Sequence, residues 1–345
     1  MNSTIVLFLL QDGIINGAIY ALLAVALVLV FAVTRVIFVP QGEYVAYAAL
    51  TLAALQAGRV PGIVWLLVAI GAAAAVAELW RSRSDLHWRR LAAILGGDVA
   101  LPLALAGIAY LAAPLQLGLI ANAGLTLALV VPLGPYIYRL AFQPLANASV
   151  LVLLIAAVGV HLALLGLGLA FFGPEGYRIP PLSRYALDLG GVPVSAQSMI
   201  VIALTLLLLF GLYLFFGRTL LGKALRAAAL NRRGALLVGI SPGMAGRLAF
   251  GMAALIGALS GVLIAPLTTI YFDSGFLIGL KGFVAAIIGG LVSYPLTVAA
   301  ALVVGLVEAF SSFWASSFKE VIVFTVILPI LLWRSLRSTH YEDEE

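Results

Sequence analysis

Residues 14–33 read IINGAIYALLAVALVLVFAV, a run in which Asn16 and Tyr20 are the only side chains able to form hydrogen bonds. About 20 mainly apolar residues in a helix cross the hydrocarbon core of a bilayer. The apolar residues are continuous and do not alternate with a period of two, which favours a helix over a barrel strand. Comparable runs recur along nearly the whole chain. The sequence therefore predicts an all-α, polytopic transmembrane helical bundle.

The composition supports the same class of protein. The 345 residues are 64% hydrophobic and only 10% charged, whereas soluble domains are roughly 25% charged. The net charge of +5 comes from basic residues clustered in short loops, a pattern that encodes membrane topology and predicts lipid, not nucleic acid, as the partner. With no Cys, disulfides and thiolate metal sites are excluded. The N-terminus lacks the basic region and cleavage site of a signal peptide, so none is expected.

About 9–11 spans, some of them possible half-spans, are predicted from apolar length and from Gly and Pro breaks. Residues 41–57 are short and follow Pro40, and a turn at Ser293, Tyr294 and Pro295 separates two of the last spans, so these are candidates for re-entrant segments. The predicted spans are 4–33, 41–57, 61–80, 91–113, 117–138, 149–172, 198–217, 245–271, 277–294, 297–315 and 319–333.

Basic loops set the expected orientation. Residues 81–90, residues 218–233 and the tail from Arg334 are rich in Arg and should face the cytoplasm. The polar segment 173–197 then lies outside, the N-terminus outside and the C-terminus inside. A single transmembrane domain is expected over residues 1–338, with 81–116 as an insertion and 339–345 as an acidic, disordered tail.

The segment 218–247 is too polar to span a membrane and is patterned like two short helices. Ala224–Ala229 and Gly234–Val238 are rich in helix formers, and Gly239 marks a helix end. Ser241 and Pro242 read as an N-cap followed by a first-turn proline. Two interpretations remain open from these residues alone: a basic loop that fixes topology, or a cytosolic docking element that a separate motor moves.

Several strings in the chain resemble one family. Arg226, Ala227 and the Leu-x-Gly-Ile end at Leu237–Ile240 are similar to the ATPase-coupling loop of LivH-type permeases of branched-chain amino acid ABC importers. Further similar strings occur in the family's order along the chain. These are NGAIYALL (16–23), Gly42–Glu43, GLKGFVAAIIGG (279–290), GLVEA (305–309) and SSFKE (316–320).

The resemblance implies an inner-membrane permease subunit that forms the path for branched-chain amino acids or related small polar solutes. It implies four kinds of partner: a second homologous permease, two ABC ATPases, a periplasmic solute-binding protein and membrane lipid. ATP and magnesium would be bound by the ATPases, and no cofactor, metal site or catalytic site is expected in this chain, which lacks a Walker phosphate-binding motif. The implied coupling residues are Arg226, Ala227, Asn231, Arg232, Arg233, Leu237, Gly239 and Ile240.

The chain departs from the family pattern in the 81–116 insertion, in Trp333–Arg337 where the family closes with Arg-Pro-Gly, and at two places near the expected solute path. Phe38–Gln41 replaces the family's Asn-Phe-Ala-His, and Ala157–Gly159 replaces its Thr-Ile-Gly. Both changes alter polar groups near the expected solute path. The sequence therefore leaves the transported solute open, as it does the choice between homodimer and heterodimer.

Ionisable groups inside a membrane are costly and are functional candidates by default. Glu43 either lines the path or caps a helix start after Pro40, and His161 is expected to be a packing residue more than a ligand. Glu308 is expected to pair with a neighbouring span or a partner subunit, whereas Asp98 and Glu78 are expected at ordinary interfacial positions. The translocation-path candidates are Gln41, Glu43, Gly159, His161 and Lys281.

Small residues predict close helix packing. Gly257 and Gly261 have the GxxxG spacing, and Gly289 with Gly290 follows an apolar run. Glycine-rich helices also line transport paths in some transporters.

Two rival classes are weaker. Ser260 and His161 superficially supply the nucleophile and base of an intramembrane protease, but no second feature supports that class. An ion-gradient-driven secondary transporter would centre on buried carboxylates and would not need the segment 218–247. Transport without an ATPase would favour it.

Overall fold

The computed structural model describes residues 3–82, 87–181, 183, 185–188 and 193–338. Within those residues the chain is almost entirely helical. The helices are α1 (Ser3–Thr34), α2 (Glu43–Gln56), α3 (Ile63–Arg81), α4 (Trp88–Ile94), α5 (Leu101–Ala112), α6 (Gly118–Val130), α7 (Leu133–Ile137), α8 (Val150–Phe172), α9 (Ala196–Arg218), α10 (Leu220–Leu230), α11 (Arg232–Leu237), α12 (Pro242–Ile264), α13 (Ser274–Ile288), α14 (Tyr294–Trp314), α15 (Lys319–Thr325) and α16 (Ile327–Ser338).

A short hairpin and several tighter or wider helical turns complete the described structure. Strands β1 (Ala186–Asp188) and β2 (Pro193–Ser195) pair antiparallel, with Leu187 opposite Val194. The π-helical turns span Leu95–Ala100 and Tyr138–Phe142, and the 3₁₀ turns span Val39–Gly42, Ala113–Leu115 and Ser316–Phe318.

Eight helical stretches among the described residues are long and apolar enough to cross a membrane, which confirms the predicted class. Those stretches are Thr4–Thr34, Ile63–Arg81, Leu91–Leu115, Gly118–Phe142, Val150–Phe172, Ala196–Arg218, Pro242–Ile264 and Tyr294–Trp314. Helix α1 is the most deeply buried and packs against α14, α12, α13 and α9. It is therefore the central helix of the bundle.

Two further helices are too short to cross a bilayer alone. Helices α2 and α13 have 14 and 15 residues, which corresponds to roughly 21 and 22 Å at about 1.5 Å per residue, against a core of about 30 Å. They meet where Gly42 lies against Gly275 and Gly279, so closely that a Cβ on Gly42 would overlap the Gly275 carbonyl oxygen. Both helices were among the half-spans suspected from sequence. They cross where their glycines bring the two backbones into direct contact.

The bundle has two distinct ends. At the basic end, Arg35 after α1, Arg226 of α10 and Tyr294 of α14 line one cavity. At the opposite end, the backbones of Tyr177 and Ile270 exchange two hydrogen bonds of 3.0 and 2.9 Å. The loops after α8 and α12 are therefore joined at the end away from α10.

The predicted insertion 81–116 contains α4, a π-helical turn and α5, which pack on α3. Arg139, in the other π-helical turn, holds Asp98 with two hydrogen bonds of 2.5 and 2.8 Å, and Tyr136 donates a hydrogen bond to the Gly97 carbonyl. Asp98, expected at an ordinary interfacial position, is only 4% exposed because it packs against Arg139. Glu78 lies 3.5 Å from Arg139. The sequence did not predict the pairing of Asp98 with Arg139, because 41 positions separate the two residues.

Three predicted spans end elsewhere. The span 245–271 stops at Ile264, and beyond it Ala265 and Ile270 form backbone hydrogen bonds with Ile179 and Tyr177. The span 277–294 stops at Ile288, and Tyr294 already belongs to α14. The span 319–333 is divided between α15 and α16. The predicted tail 339–345 lies outside the described residues.

Candidate functional site

The segment after α9 forms two short helices fixed by side-chain caps. Thr219 Oγ1 accepts a hydrogen bond from the Gly222 amide at 3.0 Å, and Asn231 Oδ1 accepts one from the Gly234 amide at 2.9 Å. Gly239 has a φ of +85°, which ends the second helix in the left-handed region that favours glycine. The predicted stop at Gly239 is thereby confirmed, as is the Ser241 cap, whose Oγ lies 3.2 Å from the Met244 amide.

The inner face of α10 and α11 packs on the bundle. Leu225, Ala228 and Ala235 are buried in a small apolar cluster with Leu29 and Val33 of α1. Arg232 Nη1 donates a hydrogen bond to the Ala146 carbonyl at 2.9 Å, in the loop before α8. Because α1 and the loop before α8 both hold the segment, a force applied to it reaches α1 directly and α8 through that loop.

The outer face of the same segment is apolar and basic. Leu230 and Leu237 are 87% and 89% exposed, and Val238 is 74% exposed. Arg233 is also exposed. Contiguous exposed apolar side chains on a polar segment mark an interaction surface. Leu230 and Val238 were not predicted, although their place on the outer side of an amphipathic helix pair was a usable signal.

The predicted coupling residues therefore have different surroundings. Arg233 and Leu237 are on the outer face, whereas Arg232 is tied to the loop before α8. Asn231 and Gly239 shape the helix ends. Of the remaining three, Arg226 lines a cavity. Ala227 lies half-buried within α10. Ile240 packs at the edge of the small apolar cluster.

A buried polar pair lies at the start of the half-span α2. Glu43 is fully buried, and its Oε1 lies 3.0 Å from His161 Nδ1 of α8. The pair is within ion-pair distance but lacks hydrogen-bond geometry, so the Glu43 carboxylate oxygens have no hydrogen-bond partner among the described residues. The His161 ring stacks on Phe276 of α13 with centroids 4.3 Å apart. The pair thus connects both half-spans to α8.

The other three translocation-path candidates have surroundings different from those of the Glu43–His161 pair. Gln41 is fully buried, and its Nε2 donates to the Ala253 carbonyl at 2.9 Å. Gly159 is exposed on the outer side of α8, with open space where a Cβ would be. Lys281 belongs to a second buried group. The structure therefore divides the five candidates among at least three places.

The second group joins four helices. Lys281 Nζ of α13 lies 2.5 Å from Glu308 Oε1 of α14 and 3.2 Å from Glu320 Oε1 of α15. Tyr20 of α1 donates a hydrogen bond to the other Glu308 oxygen. Tyr20 and Glu320 were not predicted as site residues, although both lie in strings that carried the family resemblance. Two roles were expected for Glu308, pairing with a neighbouring span or with a partner subunit. The contacts with α1 and α13 match the first.

A cavity of about 360 Å³ adjoins Glu308 between α1 and α14. Its wall combines charged, polar and apolar side chains, so it suits a small polar molecule better than lipid tails. The lining residues are Leu9, Asp12, Asn16, Glu308, Ala309, Ser312, Phe313 and Lys319.

The predicted packing glycines lie at close helix contacts with one exception. A Cβ on Gly257 would approach the Tyr44 Cβ to 2.8 Å, and one on Gly261 would overlap the Val45 carbonyl oxygen, both on α2. A Cβ on Gly289 would overlap Thr297 of α14. Gly290 instead has a φ of +74° and forms the turn before α14.

Ser260 has an ordinary environment for a serine in an apolar helix. It is buried, and its Oγ donates to the Ile256 carbonyl of its own helix at 2.9 Å. His161, the base that a protease would need, is paired with Glu43. Neither contact links the serine to the histidine.

Comparison with known proteins identifies the family. A family model described as "Branched-chain amino acid transport system / permease component" matches residues 94–331, well over half of the chain. The chain belongs to this family. The match begins inside the predicted insertion and leaves residues 1–93 uncovered. Membership of this permease family, the bacterial relatives and the apolar helices identify a multi-pass protein of the bacterial inner membrane.

Curated relatives agree. The high-affinity branched-chain amino acid transport system permease protein BraD of Pseudomonas aeruginosa is 32% identical over 208 residues, covering 58% of this chain and 68% of the relative. The corresponding permease protein LivH is 29% identical over 203 residues in both Escherichia coli K12 and Salmonella typhimurium, covering 57% of this chain and 66% of each relative. No solved structure matches.

Proposed function

We propose that this chain is the transmembrane permease subunit of an ATP-driven importer and that residues 218–247 couple it to cytosolic ATPases. The observation that carries the proposal is the α10–α11 unit, with an inner face packed on α1 and an exposed outer face centred on Leu230 and Leu237. In a member of this permease family, such a unit is placed to receive movement from a motor and pass it to the spans.

The basic end is the cytoplasmic end in this proposal. The segment 218–247 has six basic side chains and no Asp or Glu, and Arg35 lies at the same end, as the positive-inside rule requires. Helix α1 then begins outside the cell, and the loops joined through Tyr177 and Ile270 face the periplasm. They would meet a periplasmic solute-binding protein.

The partners are a second homologous permease, in a heterodimer, and two ABC ATPases that bind ATP and magnesium. This chain itself would carry out no catalysis. The solute is a branched-chain amino acid or a related small polar molecule, because the relatives bear that description. Alternating access would follow from rocking of helices around the half-spans α2 and α13.

The Glu43–His161 pair is the proposed polar element of the solute path. Half-spans with buried polar groups at the mid-membrane level are typical of transporter sites. The carboxylate lacks a regular hydrogen-bond partner among the residues described, so it can accept one from a passing solute or water.

The test is a pull-down of the tagged chain from its native membrane, followed by uptake assays in proteoliposomes. We expect two ABC ATPases and a second permease to co-purify, and uptake to require ATP and the binding protein. Recovery of the chain alone, with uptake driven by an ion gradient, would replace this proposal with a secondary transporter. The buried carboxylates Glu43 and Glu308 would then be the ion-binding candidates.

A further inference from the structure

The basic end of the bundle contains a cavity of about 410 Å³ between the coupling segment and α1. Its apolar wall includes Phe31 of α1 and Phe216 of α9, and its charged groups are Arg35 and Arg226. Neither guanidinium forms an ion pair with any carboxylate that the structure describes. The cavity thus combines two unneutralised cations with an apolar interior.

The depth of the cavity fits a lipid. Helix α1 is an apolar span over Thr4–Thr34, so Arg35 lies where the span leaves the hydrocarbon region. Phe31 lies three residues before Thr34, about 4.5 Å deeper along the helix. The arginines are therefore at headgroup level, and the apolar wall reaches into the acyl-chain region.

The backbone around the cavity is strained at two places. Arg35 and Leu291, both lining residues, have φ values of +62° and +58°. Left-handed conformations in residues other than glycine are costly and tend to occur at ligand sites. Phe216 and Tyr294 stack at 5.8 Å between ring centroids, which gives one wall a flat aromatic surface. These features make the cavity a formed site and not a gap between loosely packed helices.

We infer that this cavity binds the phosphate headgroup of an anionic phospholipid, with Arg35 and Arg226 on the phosphate and one acyl chain along Phe31 and Phe216. Basic pockets between membrane helices favour such headgroups. Arg226 lies on α10, so the bound lipid would bridge the coupling segment to α1. The inference depends on the membrane location and not on the ATPase partnership.

The experiment measures lipid binding to the full chain without any ATPase. The permease is reconstituted in phosphatidylcholine nanodiscs with graded phosphatidylglycerol, extracted, and examined by native mass spectrometry for retained lipid. Wild type should retain phosphatidylglycerol selectively. R35Q/R226Q should weaken retention by about thirtyfold, because it removes both direct contacts to the phosphate, and R35K/R226K should restore most of it.

The matched control is R218Q/K223Q, which removes two charges from the same part of the chain but none from the cavity lining. It should change retention less than twofold. Equal losses in both double variants would show only diffuse attraction and overturn the site. Equal retention of phosphatidylcholine would also overturn it, as would displacement of the lipid by millimolar inorganic phosphate, which would identify a free-phosphate site.

Discussion

Lys281 of α13 and Glu308 of α14 form a buried ion pair, with 2.5 Å between Nζ and Oε1. Glu320 also contacts Lys281, and Tyr20 donates to Glu308, so the lysine lies between two carboxylates, of which Glu320 also lies 4.0 Å from Lys319. A charge left unpaired inside a protein costs far more than the pair contributes. The pair therefore makes the alignment of α13 and α14 sensitive to the loss of either partner.

Lys281→Met should destabilise the permease more than Glu308→Gln. The first change leaves the buried Glu308 carboxylate without its lysine and should cost about 3–5 kcal/mol, whereas the second leaves Lys281 paired with Glu320. Thermal unfolding in a fixed detergent measures the difference. The double variant should be more stable than Lys281→Met alone. Equal effects of the two single changes would contradict the pairing.

Gly42→Ala should disrupt the crossing of the half-spans. The new Cβ would overlap the backbone oxygen of Gly275, which cannot rotate away, and overpacking costs about 1–3 kcal/mol or more. Gly159→Ala is the matched control, because open space surrounds that position. We expect a lower melting temperature for the first variant only. If both variants melt like wild type, the half-spans are farther apart than the structure shows.

Leu237→Ala should weaken the binding of the ATPases to the permease while leaving the fold intact. The side chain is 89% exposed on the proposed docking face, so its removal costs little folding energy and about 1–2 kcal/mol of binding energy. The readout is ATPase recovery in the pull-down. Leu111→Ala, an exposed leucine of the 81–116 segment, is the control and should leave recovery unchanged. Unchanged recovery for Leu237→Ala would remove that face from the interface.

Gly239→Pro should uncouple ATP hydrolysis from uptake without preventing membrane insertion. Proline fixes φ near −65°, whereas this position has +85°, so the end of α11 must rearrange. Reversing the charges of Arg232 and Arg233 should act similarly, because Arg232 is bonded to the Ala146 carbonyl. Gly217→Ala, at an open position, serves as control. Normal ATPase stimulation and uptake in both test variants would count against coupling through this segment.

Glu43→Gln should lower uptake while the complex still assembles. The amide keeps the shape of the side chain but removes the charge that faces His161 at 3.0 Å. We expect about a tenfold loss of uptake, the effect of 1.4 kcal/mol, with ATPase recovery as in wild type. His161→Gln tests the other residue of the pair in the same assay. Wild-type uptake in both variants would assign the pair to helix packing alone.

The sequence by itself determined the class of fold, most spans and the caps of the coupling segment. Apolar length and the roles of Gly239 and Ser241 depend on neighbours within a few residues, so a linear pattern contains the whole signal. The family strings also indicated that Gly42, Lys281 and Glu308 matter.

Only the tertiary structure decided which charges meet. Asp98 pairs with Arg139, 41 positions away in the sequence, and Tyr20 donates a hydrogen bond to Glu308, 288 positions away. The energy of a buried charge depends on its partner and on local solvation, both of which are set by helices that are distant in sequence. Pairing of this kind leaves no periodic trace along the chain, which is why the Asp98–Arg139 pair was not predicted and Lys281 was grouped with Glu43 until the helices were placed together.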